Sequence, residues 1–196
     1  MLDNTQIAAN KNEFIELFKQ NITREGSAEL LDYITKSDFF SAPASTKFHS
    51  NYEGGLCQHS LFVFKRLKFM AENDPKISAS AETIAICGLL HDLCKTNYYK
   101  TDFRNKKVDG TWVQEPYYTV DDRLPYGHGE KSVYIINGYM RLTREEAMAI
   151  NWHMGWSDAR AQNSQTIGLA YNQFPFAAML HTADVLATYI DENSDL

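Results

Sequence analysis

This chain has no CxxC pair, no long apolar run, no surplus of basic residues and no repeated segment. Each of these absences excludes a class of protein. The three cysteines, Cys57, Cys87 and Cys94, are odd in number and scattered, so a disulfide framework is not expected and a reducing compartment is. All three read as small buried hydrophobes. The apolar stretches fall well short of the roughly 20 residues a membrane span requires, so no membrane partner is expected. The opening MLDNTQIAANKNEF has neither the basic start nor the apolar centre of a secretion signal, and a cytoplasmic location follows as the default. With 19 Lys and Arg against 25 Asp and Glu, the net charge is −6, which argues against extended nucleic acid as a partner.

What is present suits one well-packed domain. The 196 residues are 44% hydrophobic and 13% aromatic, enough to build a full core and too apolar for disorder. Helical spacing marks residues 11–20, through Phe14, Leu17 and Phe18, and residues 26–38, through Leu30, Leu31 and Ile34. Pro43 interrupts the pattern, and Gly54-Gly55 then turns into a helix carrying Leu61, Phe64 and Leu67. A further helix is expected from about Ala79 to Leu93 with Ser78 or Ser80 as its cap. Thr143 and Glu146 match a capping box, and a last helix is expected from about Pro175. Residues 97–127 differ: Asp109-Gly110 lies between β-prone runs, the signal for a hairpin. The expected fold class is all-α, a helical bundle with a small β-hairpin-like insertion.

Within that frame one stretch stands out. GLLHDLCK ends an apolar helix on His91 and Asp92. A buried carboxylate costs several kcal/mol unless something pairs with it, and a metal ion can serve both residues. His59, His128, His153 and Asp184 stand at comparable helix-scale intervals, with gaps of 32, 37, 25 and 31 residues along the series 59, 91, 128, 153 and 184. Each donor can therefore come from a different helix, and all can meet at one pole of a bundle. Imidazole and carboxylate donors suit Mn, Fe, Zn or Ni, with Mg also able to serve, and six exceed the needs of one ion. Asp92 has two oxygens with which to bridge two ions, and water held between them becomes a hydroxide nucleophile.

His91-Asp92, with His59 upstream and Asp184 downstream, resembles the H…HD…D signature of the HD superfamily of metal-dependent phosphohydrolases. HSNYEGGLCQHS, GLLHDLCK, GHGEKS, NWHMGW and FPFAAMLHTADVLATY are similar to successive elements of one branch, which includes the HD domain of YhaM-type 3′→5′ exoribonucleases. The resemblance runs from about Phe48 to Tyr189. It implies one HD domain over 1–196, with an N-terminal helical extension to about residue 45 and a core over about 46–192. It implies that His59, His91, Asp92 and Asp184 bind a first ion and that His128 and His153 complete a second site, with Asp92 as bridge. Asp92 and Lys95 would be catalytic, Lys95 facing a substrate oxyanion. Cys94 departs from the family pattern, standing where a glycine is usual, and the nucleic-acid-binding domain of the exoribonucleases has no counterpart here.

Lesser candidates keep two readings each. His49 either contacts substrate phosphate or serves the turn before Gly54. Lys131 either reaches a phosphate or caps a solvated helix end. His181 reads as a core residue or one that supports the metal ligands, and Trp152, Met154 and Trp156 as core or as a stacking surface for a base. The basic segment from Lys95 through Lys100, Arg104, Lys106 and Lys107 either attracts a phosphorylated substrate or forms a solvated hairpin face. The expected activity is hydrolysis of a phosphate ester of a nucleotide or other small phosphorylated metabolite, acting with two divalent ions; a homo-oligomer is compatible with the sequence. The rival readings are an HD-fold di-iron oxygenase and a non-catalytic nucleotide-binding module.

Overall fold

Capping chemistry fixes where several helices begin. Asp3 accepts from the Gln6 amide while the Gln6 side chain returns to the Asp3 amide, opening α1 (Asn4–Asn21). Ser80 caps α4 (Ala81–Leu90) through the Thr83 amide, and Thr143 and Glu146 close a reciprocal box on α6 (Arg144–Asn151). The computed structural model describes residues 2–48, 50–162 and 165–192. Among these, α2 (Ser27–Lys36), α3 (Gly55–Asn73), α5 (His128–Asn137), α7 (Thr166–Gln173) and α8 (Pro175–Leu186) complete a predominantly helical body. No helix of the described residues is long and apolar enough to cross a membrane.

Helix α4 is buried from Ile84 to Leu90 and forms the centre of the core. Phe14 and Phe18 of α1, Leu30 and Ile34 of α2, Leu56, Leu61 and Leu67 of α3, and Phe176 and Leu180 of α8 close around it. Two glycines let ligand-bearing segments approach. A Cβ on Gly88 of α4 would stand 2.6 Å from the Phe64 Cα of α3, so this glycine sets the close α3–α4 packing that brings His59 near His91. A Cβ on Gly129 would collide with the Asn151 carbonyl, so the start of α5, carrying His128, lies against the end of α6, which leads to His153.

The only sheet among the described residues is the hairpin of β1 (Tyr99–Val108) and β2 (Thr111–Val120), paired in antiparallel register from Tyr99–Val120 to Val108–Thr111. Asp109 and Gly110 both take positive φ, 50° and 86°, the conformation that a tight two-residue hairpin turn demands. The strands are ten residues each, longer than the short runs expected, and neither packs a full face on the body. The base is tied down: Tyr99 Oη donates to the Ala44 carbonyl at 3.2 Å, and just before β1 the Asn97 amide donates to Asp38 Oδ1 at 2.6 Å. The basic residues of this arm are paired or solvated, with Arg104 and Lys106 both bonded to Glu115. Helix α7 is an addition to the sequence reading; its polar start and internal Gly168 conceal the pattern, and it buries Ile167 and Ala170 beside Trp152 and Ala161.

Candidate metal centre

Five separate segments supply the polar side chains that meet at one end of the bundle. His59 sits just after the first turn of α3, His91 caps the end of α4, and Asp92 follows it into a short 3₁₀ turn, Leu93–Lys95. His128 opens α5, His153 follows the end of α6, and Asp184 lies on α8. His59 Nε2 is 3.1 Å from His91 Nε2, 3.3 Å from Asp184 Oδ1 and 3.5 Å from Asp92 Oδ2. His91 Nε2 is also 3.5 Å from Asp92 Oδ2. The other oxygen, Asp92 Oδ1, faces the second pair: His128 Nε2 at 2.7 Å and His153 Nε2 at 3.4 Å.

The remaining ring nitrogens fix the tautomers. A carbonyl can only accept, so His91 Nδ1 donates to Gly88 O at 3.0 Å and His153 Nδ1 to Ile150 O at 2.7 Å. In the neutral rings both Nε2 atoms then carry lone pairs aimed inward. His59 Nδ1 donates to Glu192 Oε1 at 2.6 Å, and Glu192 Oε2 accepts from Ser50 Oγ at 2.5 Å. His181 Nδ1 donates to the His153 carbonyl at 2.7 Å, holding the backbone of a candidate ligand. These outer partners are the usual means by which metal-binding histidines are oriented.

Glu192 and Ser50 were not singled out in the sequence. Glu192 reaches the site because α8 continues into a π-turn, Ala187–Asp191, closed by the Glu192 amide on the Ala187 carbonyl. The wider turn takes up one extra residue, so Glu192 falls on the face of Asp184 as a residue seven positions on would in a regular helix. The eight-residue interval in sequence conceals that.

Acceptors outnumber donors here. One proton on His59 Nε2 cannot serve His91 Nε2, Asp184 Oδ1 and Asp92 Oδ2 together. His153 Nε2, fully buried, has no hydrogen-bond partner, and such an orphan costs about 1–3 kcal/mol. Donors about 2.1 Å from a shared ion stand roughly 3.0–3.4 Å apart, close to the spacings around His59 and between His153 and Asp92. Buried His, Asp and Cys groups within metal-binding distance form three overlapping sets: His59, His91 and Asp184; His91, Asp92 and His153; Asp92, Cys94 and His128. The donor set fits a divalent transition metal.

Charge follows the same logic. Burial opposes ionisation of Asp92, but the Lys95 ammonium and the histidines outweigh it and hold its carboxyl well below the usual range. Asp184 is likewise driven down against burial, chiefly by His59. Burial disfavours the His59 imidazolium, yet Asp184 and Glu192 prevail and raise its pKa to about 10. Burial pushes His91 and His128 down. For His153 burial is outweighed by the Asp92 carboxylate, and the shift is upward. Burial pushes the Cys94 thiol up to about 12.

Asp92, Lys95, His128, His181 and Asp184 open onto a cavity of about 720 Å³, rimmed by Tyr98, Tyr99, Val120, Phe48 and Tyr189. A larger groove of about 1090 Å³ beside α5 and α6 contains none of the convergent donors, and Asp92, His128 and Asp184 line the smaller space. Lys95 Nζ donates to Asp92 Oδ2 at 2.6 Å, so it is held by the carboxylate while facing the cavity. Lys131 is buried and spends its ammonium on Asp122 Oδ1 at 2.6 Å, over the Tyr98 ring. The geometry thus engages it with the loop before α5 and does not bring it to the cavity lining. Trp152 is buried against Arg160, Met154 lines the cavity, and Trp156 is exposed with its edge on Tyr171. His49 lies outside the described residues. No family model matches the chain, and neither the curated proteins nor the solved structures include a match.

Proposed function

We propose that the chain is an HD-type phosphohydrolase that cleaves a phosphate ester of a nucleotide or another small phosphorylated metabolite with two divalent ions. One observation carries this reading: the two oxygens of Asp92 face different histidine pairs, Oδ2 towards His59 and His91 and Oδ1 towards His128 and His153. A bridging carboxylate with separate ligand sets on either side is what a binuclear site requires. His59, His91, Asp92 and Asp184 would hold one ion; Asp92, His128 and His153 would hold the other. Bound divalent ions supply Lewis acidity and lower the pKa of water, the chemistry phosphate-ester hydrolysis needs.

The chain's own groups supply the rest. Lys95 fixes Asp92 through Oδ2 and presents a cation to the cavity, where it would offset charge developing on phosphoryl oxygens. Glu192 and His181 hold His59 and the His153 backbone in place. Tyr98, Tyr99 and Val120 at the hairpin base form one wall of the cavity, so this insertion would govern which alcohol or nucleoside portion is admitted.

The test combines metal analysis of anaerobically purified protein with turnover of a panel of phosphomonoesters and phosphodiesters. Two ions per chain and metal-dependent phosphate release are expected. One ion at saturation in excess Mn²⁺ or Fe²⁺ would sink the binuclear reading, and His128 and His153 would then be assigned to substrate phosphate. Two irons with an O₂-dependent optical change and no ester hydrolysis would replace the phosphohydrolase with an oxygenase.

A further inference from the structure

Cys94 holds a position that its character as a small buried hydrophobe does not explain. Its sulfur lies 3.4 Å from His128 Nδ1 and 3.6 Å from His128 Nε2. The Cys94 amide donates to Ser132 Oγ on α5 at 3.0 Å, so the turn after Asp92 is tied to the helix that His128 begins. Cys94, Asp92 and His128 each offer a ligand atom, and these three atoms lie within 4.8 Å of one another. Beside them the unpartnered Nε2 of the fully buried His153 points at Asp92 Oδ1 from 3.4 Å.

From this arrangement we infer that Cys94 is a thiolate ligand of the ion on the His128 side, completing a Cys94, His128, His153 and Asp92 set. The inference rests on the binuclear reading above. A nitrogen and a thiolate bound to one tetrahedral ion stand about 3.6 Å apart, given bonds of roughly 2.1 and 2.3 Å. Cys94 Sγ lies at that distance from His128 Nε2 but beside the ring, 3.4 Å from Nδ1, so binding requires a side-chain rotation that brings the sulfur round to the Nε2 edge. Binding exchanges the S–H bond for a sulfur–metal bond, and the thiol proton leaves to solvent through the cavity that His128 lines; a coordinating thiol is deprotonated outright. The first set, His59, His91, Asp92 and Asp184, contains only nitrogen and oxygen. The two halves would therefore differ in preference, with the Cys94 half favouring Zn, Fe or Co over Mg or Mn.

Cobalt(II) added to metal-free protein reads this directly, without substrate. Wild-type protein is expected to develop visible ligand-field bands together with a near-ultraviolet thiolate-to-cobalt charge-transfer band. Cys94→Ser should keep the visible bands and lose the charge transfer. Zinc absorption spectroscopy on unmodified protein provides a measurement that needs no variant to fold: a sulfur neighbour at about 2.3 Å is expected. Cobalt bound with ligand-field bands but no charge transfer, or a charge-transfer band that survives in Cys94→Ser, overturns the role of Cys94 and leaves the metal centre standing. Protein that takes up neither cobalt nor zinc overturns the metal centre itself.

Discussion

Two polar clusters are built into this fold, and they balance their hydrogen bonds in opposite ways. Around Arg24 every strong acceptor meets a donor. The guanidinium grips Glu146 with both terminal nitrogens, at 2.8 and 2.9 Å, and reaches Glu82 at 3.1 Å. Glu82 also accepts from the Thr23 and Arg24 amides, and Glu146 from Thr83 Oγ1 and the Thr143 amide. This cluster clamps the α1–α2 connection to α4 and α6 and lacks nothing. Around Asp92 the inward lone pairs of His91 and His153 converge with two carboxylates, and Lys95 and the Nε2 protons of His59 and His128 are too few to serve them all. Both clusters hold buried charge, so burial does not distinguish a structural site from a chemical one. The balance of donors against acceptors does.

The comparison can be broken most severely at Asp92. Asp92→Ala should remove the bridge and the partner of Lys95, empty both metal positions and reduce turnover by more than about a hundredfold, beyond what loss of an outer partner costs. Elemental analysis and an ester-hydrolysis assay read both effects; retention of two ions would show that the convergence around Asp92 is not a binding site. Arg24→Ala makes the converse cut. It leaves the fully buried Glu146 carboxylate without its cation, so a loss of about 3 kcal/mol in denaturant unfolding is expected, with metal content per folded chain unchanged.

Glu192→Gln sharpens the distinction, since it alters a group that only orients. The neutral amide keeps the size of the side chain but weakens the hold on His59 Nδ1, and metal affinity should fall about 10–100-fold with stability little changed. Titration calorimetry of the metal-free protein would measure it, and an unchanged affinity would remove Glu192 from the site's support.

Acid gives the smallest effect. Burial works against the charge on Glu146 and Glu82, but Arg24 and the amides that bond them prevail, and both carboxyls are held below their ordinary values. A depressed carboxyl contributes stability that is full above its unfolded value, about 4.3, and is lost as pH falls through the folded value. Unfolding free energy measured from pH 7 down to pH 3 should therefore decline below about pH 4. The decline attributable to these two groups should be smaller in Arg24→Ala, which has already lost the cation.

Much of the helical body was legible because its signals are local. The α4 cap, the Thr143–Glu146 box and the Asp109-Gly110 turn each operate within four residues; the box and the turn are used as read, and of Ser78 and Ser80 the structure uses Ser80. Helix α7 was not legible, since its start carries no strong cap and Gly168 interrupts it. At the site, His59, His91, Asp92, His128, His153 and Asp184 could be picked out because such residues at helix ends and one-helix intervals are few. Their separations in space could not be read. Cys94 looked like any small buried residue, because its contact with His128 depends on how the turn after Asp92 meets Ser132. Lys131 looked available for phosphate until the fold set Asp122 beside it.

The π-turn at Ala187–Asp191 has a consequence for how this chain tolerates change. Helices ordinarily absorb point substitutions more readily than changes in length, and here the extra residue itself acts as a register shift. Removing one residue from 187–191 would let α8 run on as a regular helix with Glu192 seven positions after Asp184, still on the same face, whereas relaxing the turn at full length would leave Glu192 eight positions on and turned by about 80°. In that full-length regular helix Glu192 would swing away from His59 Nδ1 and release Ser50, although no residue of the candidate metal cluster had been touched. Glu192 thus depends on the register of the chain before it as much as on its own identity: a single-residue deletion there should spare the metal affinity that Glu192→Gln lowers, and a single-residue insertion should reproduce the loss.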